Sequence, residues 1–150
     1  MPLSDLPVCV AALYHFAPME RLDELRAQLL EQCQALGIRG TLLLAAEGIN
    51  GTVAGSDAAI AELIAALRML PGCAALEVKY SRAPALPFQR MKVRIKAEIV
   101  TMGQPQIDPL APGHYLEGDD WNALIADPDT VVIDTRNSYE IAAGTFAHAI

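Results

Sequence analysis

Apolar residues fall in two rhythms along the chain: short near-continuous runs, and stripes in steps of three and four. Val8 to Phe16 is a run in which both alternating sets are apolar or nearly so. Val8, Val10, Ala12, Tyr14 and Phe16 make one set, and Cys9, Ala11 and Leu13 the other. This predicts a strand covered on both faces, closed by Ala17-Pro18. Residues 19–36 then carry Leu22, Leu25, Leu29, Cys33 and Leu36, with Glu, Arg and Gln between them. That spacing is an amphipathic helix, with Pro18 suited to its first turn and Gly37 to its stop. Leu42 to Ala45, bounded by Gly40 and Gly48, reads as a buried strand. Gly48 and Asn50-Gly51 tolerate positive φ, so they predict the reversal into a second strand running through Ala54.

Ser56 stands where a helix cap belongs, ahead of a stripe of Ile60, Leu63, Ile64 and Leu67 that Pro71-Gly72 closes. Leu76 to Ser81 is the next strand. Strand, helix, strand, strand, helix, strand is the split βαβ or ferredoxin-like order, an α+β sheet of four strands with two helices on one face. Several strands are apolar on both sides, so the open face is expected to be covered by further chain, another domain or a partner.

After the stiff Ala83-Pro84-Ala85-Leu86-Pro87 connection, Met91 to Val100 alternates, with Met91, Val93 and Ile95 against Lys92, Arg94 and Lys96. A half-buried strand explains this. Glycine and proline are then dense from Thr101 to Gly118 (Gly103, Pro105, Pro109, Pro112, Gly113), the expected linker between residues 1–100 and 119–150. Asp119 or Asp120 is placed to cap a short helix with Trp121, Leu124 and Ile125, which Pro128 closes. The β-branched run Thr130 to Ile133 predicts a strand that delivers Asp134-Thr135-Arg136-Asn137 at its carboxyl end, before a helix starting at Ser138-Tyr139-Glu140. That arrangement is typical of α/β domains. About thirty residues do not enclose a core, so residues 119–150 are expected to begin a larger domain.

Composition adds limits. In 150 residues, 53% hydrophobic and 19% charged, there is enough apolar material for a core and too much for wholesale disorder. A net charge of −7 argues against indiscriminate coating of nucleic acid, although binding follows the local field. Six of the eleven basic residues (Lys79, Arg82, Arg90, Lys92, Arg94, Lys96) lie in an 18-residue window with no acid. Such a window is either a charged edge that resists aggregation or a phosphate-binding stripe.

Cys9, Cys33 and Cys73 lack metal spacing and read as reduced thiols packed as small hydrophobes in a cytoplasmic protein. No basic-then-apolar leader and no apolar run of about 18 residues is present, so no membrane association is expected. Glu47 and Asn50, with Gly51, are read either as turn residues or as a corner facing a ligand or another domain. One carboxylate without a partner does not make a catalytic site. His15 is expected to be a hydrogen-bonded rim residue. No metal cluster, phosphate-cradling glycine loop, or flavin or nicotinamide fingerprint is seen, so no cofactor is identified.

GTLLLAAEGINGT, RMKVRIKAEIVTMG, DDWNALI and VVIDTRNSYE, in that order, resemble the bacterial rhodanese-domain tRNA uridine hydroxylases, from Val8 to Ile150. The resemblance implies an acylphosphatase-like (ferredoxin-like) N-terminal domain, a linker and the beginning of a rhodanese domain. It implies oxygen-dependent hydroxylation of the wobble uridine at carbon 5, with tRNA and the remainder of the rhodanese domain as partners and molecular oxygen as co-substrate. In that family the reactive cysteine lies on the rhodanese loop, downstream of the Asp134–Asn137 motif. Cys9, Cys33 and Cys73 do not match it, and Asp134 and Arg136 are implied to be supports of that loop. The chain is therefore expected to be the inactive front part of the enzyme, serving tRNA positioning or domain docking. Sulfurtransfer is the runner-up for the intact protein. Acylphosphatase chemistry is set aside, because His15-Phe16-Ala17-Pro18-Met19 holds neither a glycine nor an arginine to cradle an anion.

Overall fold

Strand β1 (Val8–Phe16) is an inner strand, paired on both sides, and its alternation decides the layers. Cys9, Ala11 and Leu13 point into the core, whereas Ala12 is exposed and Tyr14 is 49% exposed. On the other face Val8, Val10 and Phe16 are half-buried, so within the described residues the expected second cover is only partial. The computed structural model describes residues 6–100, 103–104, 106–108, 110–111 and 113–150. Pro105, Pro109 and Pro112 of the expected linker lie outside the described residues. The chain divides into two compact units, Met1–Ala111 and Pro112–Ile150.

The first unit continues with α1 (Leu22–Ala35), β2 (Arg39–Ala45), β3 (Gly48–Gly55), α2 (Asp57–Arg68), β4 (Glu77–Ala83) and β5 (Met91–Ile95). The sheet order is β4-β1-β3-β2-β5. The first four strands make the expected split βαβ arrangement, and β5 adds a fifth, parallel to β2. Both helices lie on one face, with α1 against β2 and β5, and α2 against β1 and β3. Leu29 and Cys33 of α1 and Ile60, Leu63 and Leu67 of α2 close over Leu13, Leu42, Leu44, Ile49 and Val53. Ser56 caps α2 as read, its Oγ accepting from Ala59 N at 3.2 Å. Gly37, at φ 67°, ends α1.

Helix α1 starts at Leu22, and Pro18 lies outside it. The amides of Ala17 and Met19 are already committed, donating to the carbonyls of Glu47 and Ala46 at 3.0 and 2.9 Å. The β2–β3 hairpin turns at Ala46-Glu47, so the Asn50-Gly51 pair lies inside β3 and does not make the turn. These glycines serve close approach. A Cβ on Gly51 would strike the Thr41 carbonyl, and one on Gly48 would strike that of His15. Strand β5 stops at Ile95 instead of running to Val100, although Lys96 N still donates to Leu44 O at 2.7 Å.

In the second unit α3 is Gly118–Ile125 and α4 is Ser138–Ala143. The residue before α3 is Glu117, which makes no side-chain cap, so Asp119 and Asp120 sit in the first turn and not at the cap. There they still favour the helix dipole. The expected strand Thr130 to Ile133 forms no ladder among the described residues. Its backbone bonds include Thr130 N to Asp127 O at 3.1 Å and Ile150 N to Val132 O at 3.0 Å, with Asp134 N to Ile150 O at 2.9 Å just beyond it. Val132 is buried while Val131 and Ile133 are exposed; without a neighbouring strand the β-branched run has the shape of a strand but not its pairing. Asn137 and Glu140 form a capping box for α4, and Trp121 meets Phe146 edge-on at 5.2 Å.

Candidate nucleic-acid interface

Strand order parts the basic window. Lys79 and Arg82 are on β4, and Lys92 and Arg94 are on β5, at opposite edges of the sheet. Four interstrand steps separate those edges, roughly 19 Å at the usual strand spacing. The six cations are therefore not one stripe. Arg82 is on the helix side, opposite Cys9, and it is committed. Its guanidinium pairs with Asp57 through two contacts of 2.8 and 3.0 Å and also reaches Leu6 O at 3.4 Å. Lys79 stands alone on the open face of the β4 edge, opposite Ala12.

At the other edge the cations gather. Lys92 lies opposite Thr41 and Arg94 opposite Leu43, on the face away from buried Leu42 and Leu44. Arg90 immediately precedes β5, and its carbonyl accepts from Gly40 N at 3.1 Å. Arg39, two residues before Thr41 on the same face, joins them from β2. Sequence reasoning missed Arg39, because only the β2–β5 register brings it beside the basic window. Among the described residues Arg39, Arg90, Lys92, Arg94 and Lys96 have no acidic partner. Cations without a partner keep their field available to an external anion.

The glycine-bracketed corner has a different task. Glu47 Oε1 accepts from Ile99 N at 2.7 Å, and Asn50 Nδ2 donates to Ile99 O at 3.0 Å. Asn50 points away from the core that holds Ile49, so Ile99 is pinned on the open face, where it is 3% exposed. The two side chains satisfy both backbone groups of one buried residue, which would otherwise be costly to leave unpaired. Gly51 leaves room for the neighbouring strand. His15 is the rim residue expected, its Nε2 2.7 Å from Gly72 O.

In the second unit Asp134 and Arg136 pair with each other. Arg136 Nη2 lies 2.7 Å and its Nε 3.0 Å from the carboxylate, which also accepts from Thr145 Oγ1 at 2.7 Å. The Arg136 hydrogen bonds, then that of Thr145, hold the Asp134 carboxyl well below the usual carboxylate range. Arg136 also donates to Gly144 O at 2.8 Å, tying the residues after α4 to this motif. Cys9, Cys33 and Cys73 are free and buried. Burial pushes the Cys33 thiol up to about 11, so it is a poor nucleophile at neutral pH.

These features define an acylphosphatase-like split βαβ domain, extended by a fifth strand that carries cations along one edge. The chain belongs to the family described as the UPF0176 acylphosphatase-like domain, which matches residues 8–99. It is 60% identical over 144 residues to a tRNA uridine(34) hydroxylase of Gluconobacter oxydans (strain 621H), a match covering 95% of this chain and 46% of that protein. To a tRNA uridine(34) hydroxylase of Brucella suis biovar 1 (strain 1330) it is 61% identical over 150 residues, covering 99% of this chain and 49% of that one. The chain thus spans about half the length of the curated relatives it matches. An acylphosphatase from Coxiella burnetii aligns with 63% of this chain and 99% of its own, at a TM-score of 0.44 and 14% identity. Among the described residues no helix is long and apolar enough to cross a membrane.

Proposed function

We propose that this chain is the N-terminal part of a cytoplasmic tRNA-modifying enzyme that hydroxylates the wobble uridine at carbon 5, with molecular oxygen as co-substrate. The observation that carries this reading is the 60% identity, held over 95% of the chain, to a protein named tRNA uridine(34) hydroxylase. In this reading the chain positions tRNA. The cations of the β5 edge contact phosphates, which orient a substrate without reading its sequence. The reacting cysteine belongs to the rhodanese domain of the intact protein, in keeping with the burial of all three thiols here, and Asp134 and Arg136 brace that domain's loop.

The test is nucleoside analysis of tRNA from a hydroxylase-deficient strain supplied with the intact protein or with this chain. The intact protein is expected to restore 5-hydroxyuridine and the chain alone to leave it absent. No product from the intact protein overturns the assignment, and product from the chain alone overturns the division of labour. A docking role is the second reading, favoured by Tyr14 and Phe16, which meet edge-on at 6.4 Å on the open face. It predicts that the intact protein binds tRNA while the chain alone does not.

A further inference from the structure

At the amino ends of parallel β2 and β5 lies a cavity of about 430 Å³, lined by Gly40, Thr41, Phe88, Gln89, Arg90 and Lys92, together with Pro87. Its volume falls within the ordinary range for small-ligand sites. Its chemistry is unusual for a protein of net charge −7: no lining residue is acidic. The cavity of about 420 Å³ beside Arg21 is lined by Glu20 and Glu24 as well. At the β2–β5 cavity two cations without acidic partners stand with one aromatic ring and with amide and hydroxyl side chains. Lys92 and Thr41 are paired across the strands, so the cavity is continuous with the open-face row that leads to Arg94.

We propose that this cavity holds one unpaired nucleotide of an RNA loop, its base against Phe88 and its flanking phosphates on Arg90 and Lys92. Cations alone would favour duplex and single strand alike. The aromatic ring beside them favours an unstacked base, because a base inside a helix does not offer its face to a side chain. Gln89 and Thr41 are the hydrogen-bonding groups available to a base edge or a ribose. Pro84 and Pro87 stiffen the segment that carries Phe88, which reduces the ordering needed on binding. The proposal rests on the tRNA-positioning role above and names the part of the RNA that is held.

The experiment measures binding of this chain to a labelled anticodon stem-loop and to a blunt RNA duplex of equal length, by fluorescence anisotropy across a salt series. Phe88→Ala is expected to weaken stem-loop binding on the order of tenfold and to leave duplex binding unchanged. Lys92→Gln is expected to weaken both and to lower the salt slope by about one contact. Because Phe88 is half-buried, its variant is accompanied by a thermal melt and by exposed Arg90→Gln, which is expected to weaken both RNAs without lowering Tm.

Equal binding of stem-loop and duplex by the wild type overturns the proposal. So does unchanged stem-loop binding by Phe88→Ala or Arg90→Gln, whatever the melt shows. The same variants in the intact protein separate the two readings. Normal 5-hydroxyuridine and normal binding in the variants sink the cavity and leave the enzyme assignment standing. Lost stem-loop binding in the variants of a protein that makes no 5-hydroxyuridine does the reverse.

Discussion

The two faces of the sheet are made from the same strands and behave as different materials. On the helix side Leu13, Leu42, Leu44, Ile49 and Val53 are at most 3% exposed. On the other side Ala12, Lys79 and Arg94 are exposed, and Ile99 is the residue that Glu47 and Asn50 pin there. Leu42 and Leu43 are adjacent and chemically identical, yet Leu42 is fully buried under the helices and Leu43, on the other face, is only half-buried. The contrast separates tasks: the helix-covered face supplies most of the burial that folds the domain, and the open face is left for surface chemistry. A face that carries little of the stability tolerates unpaired cations, which no core tolerates.

The sharpest way to break this comparison is Leu42→Ala against Leu43→Ala. The first is expected to cost about 2–5 kcal/mol in urea unfolding and the second well under half as much; equal losses would mean that both faces are core. Thiol chemistry probes the same closure. Cys33 is expected to resist thiol reagents in the native state and to react on unfolding. Its folded pKa is raised to about 11, so its contribution to stability is complete below the unfolded value near 8.5. It is lost as pH rises from there through 11. Fast native labelling of Cys33 at neutral pH would contradict the packing.

Next in size is the clamp. Glu47→Ala leaves the Ile99 amide without its acceptor and is expected to cost about 1–3 kcal/mol, with loss of hydrogen-exchange protection at Ile99. Protection that survives the substitution would deny Glu47 this role. The smallest effects belong to the two edges. Arg82→Ala, which breaks a partly exposed ion pair, is expected to cost up to about 1 kcal/mol. Lys92→Gln is expected to leave stability within about 0.5 kcal/mol while lowering RNA affinity. If Lys92→Gln destabilises more than Arg82→Ala, the β5 cations are structural after all.

Much of the helix-covered face was legible beforehand. The stripe Ile60, Leu63, Ile64 and Leu67, the Ser56 cap and the bounds of β1 follow from period and capping chemistry, which act between near neighbours. Where a reading failed, the outcome turned on groups distant in the chain. Pro18 was kept out of α1 because the β2–β3 turn holds the amides on either side of it. Asn50-Gly51 looked like a turn, yet its glycine answers a carbonyl on the neighbouring strand. Thr130 to Ile133 has strand composition, but composition does not supply a neighbour to pair with.

The glycine-bracketed corner shows the same limit. Its residue types announced something specific, but only the fold revealed that Glu47 and Asn50 grip Ile99. By itself the sequence determined the order of elements, their buried stripes and the presence of a basic window in an acidic protein, because these depend on local spacing. The tertiary structure alone decided that β4 and β5 take opposite edges. It thereby sent Arg82 to Asp57 and brought Arg39 beside Arg90 and Lys92, since which strands become neighbours is set by the packing of the whole sheet.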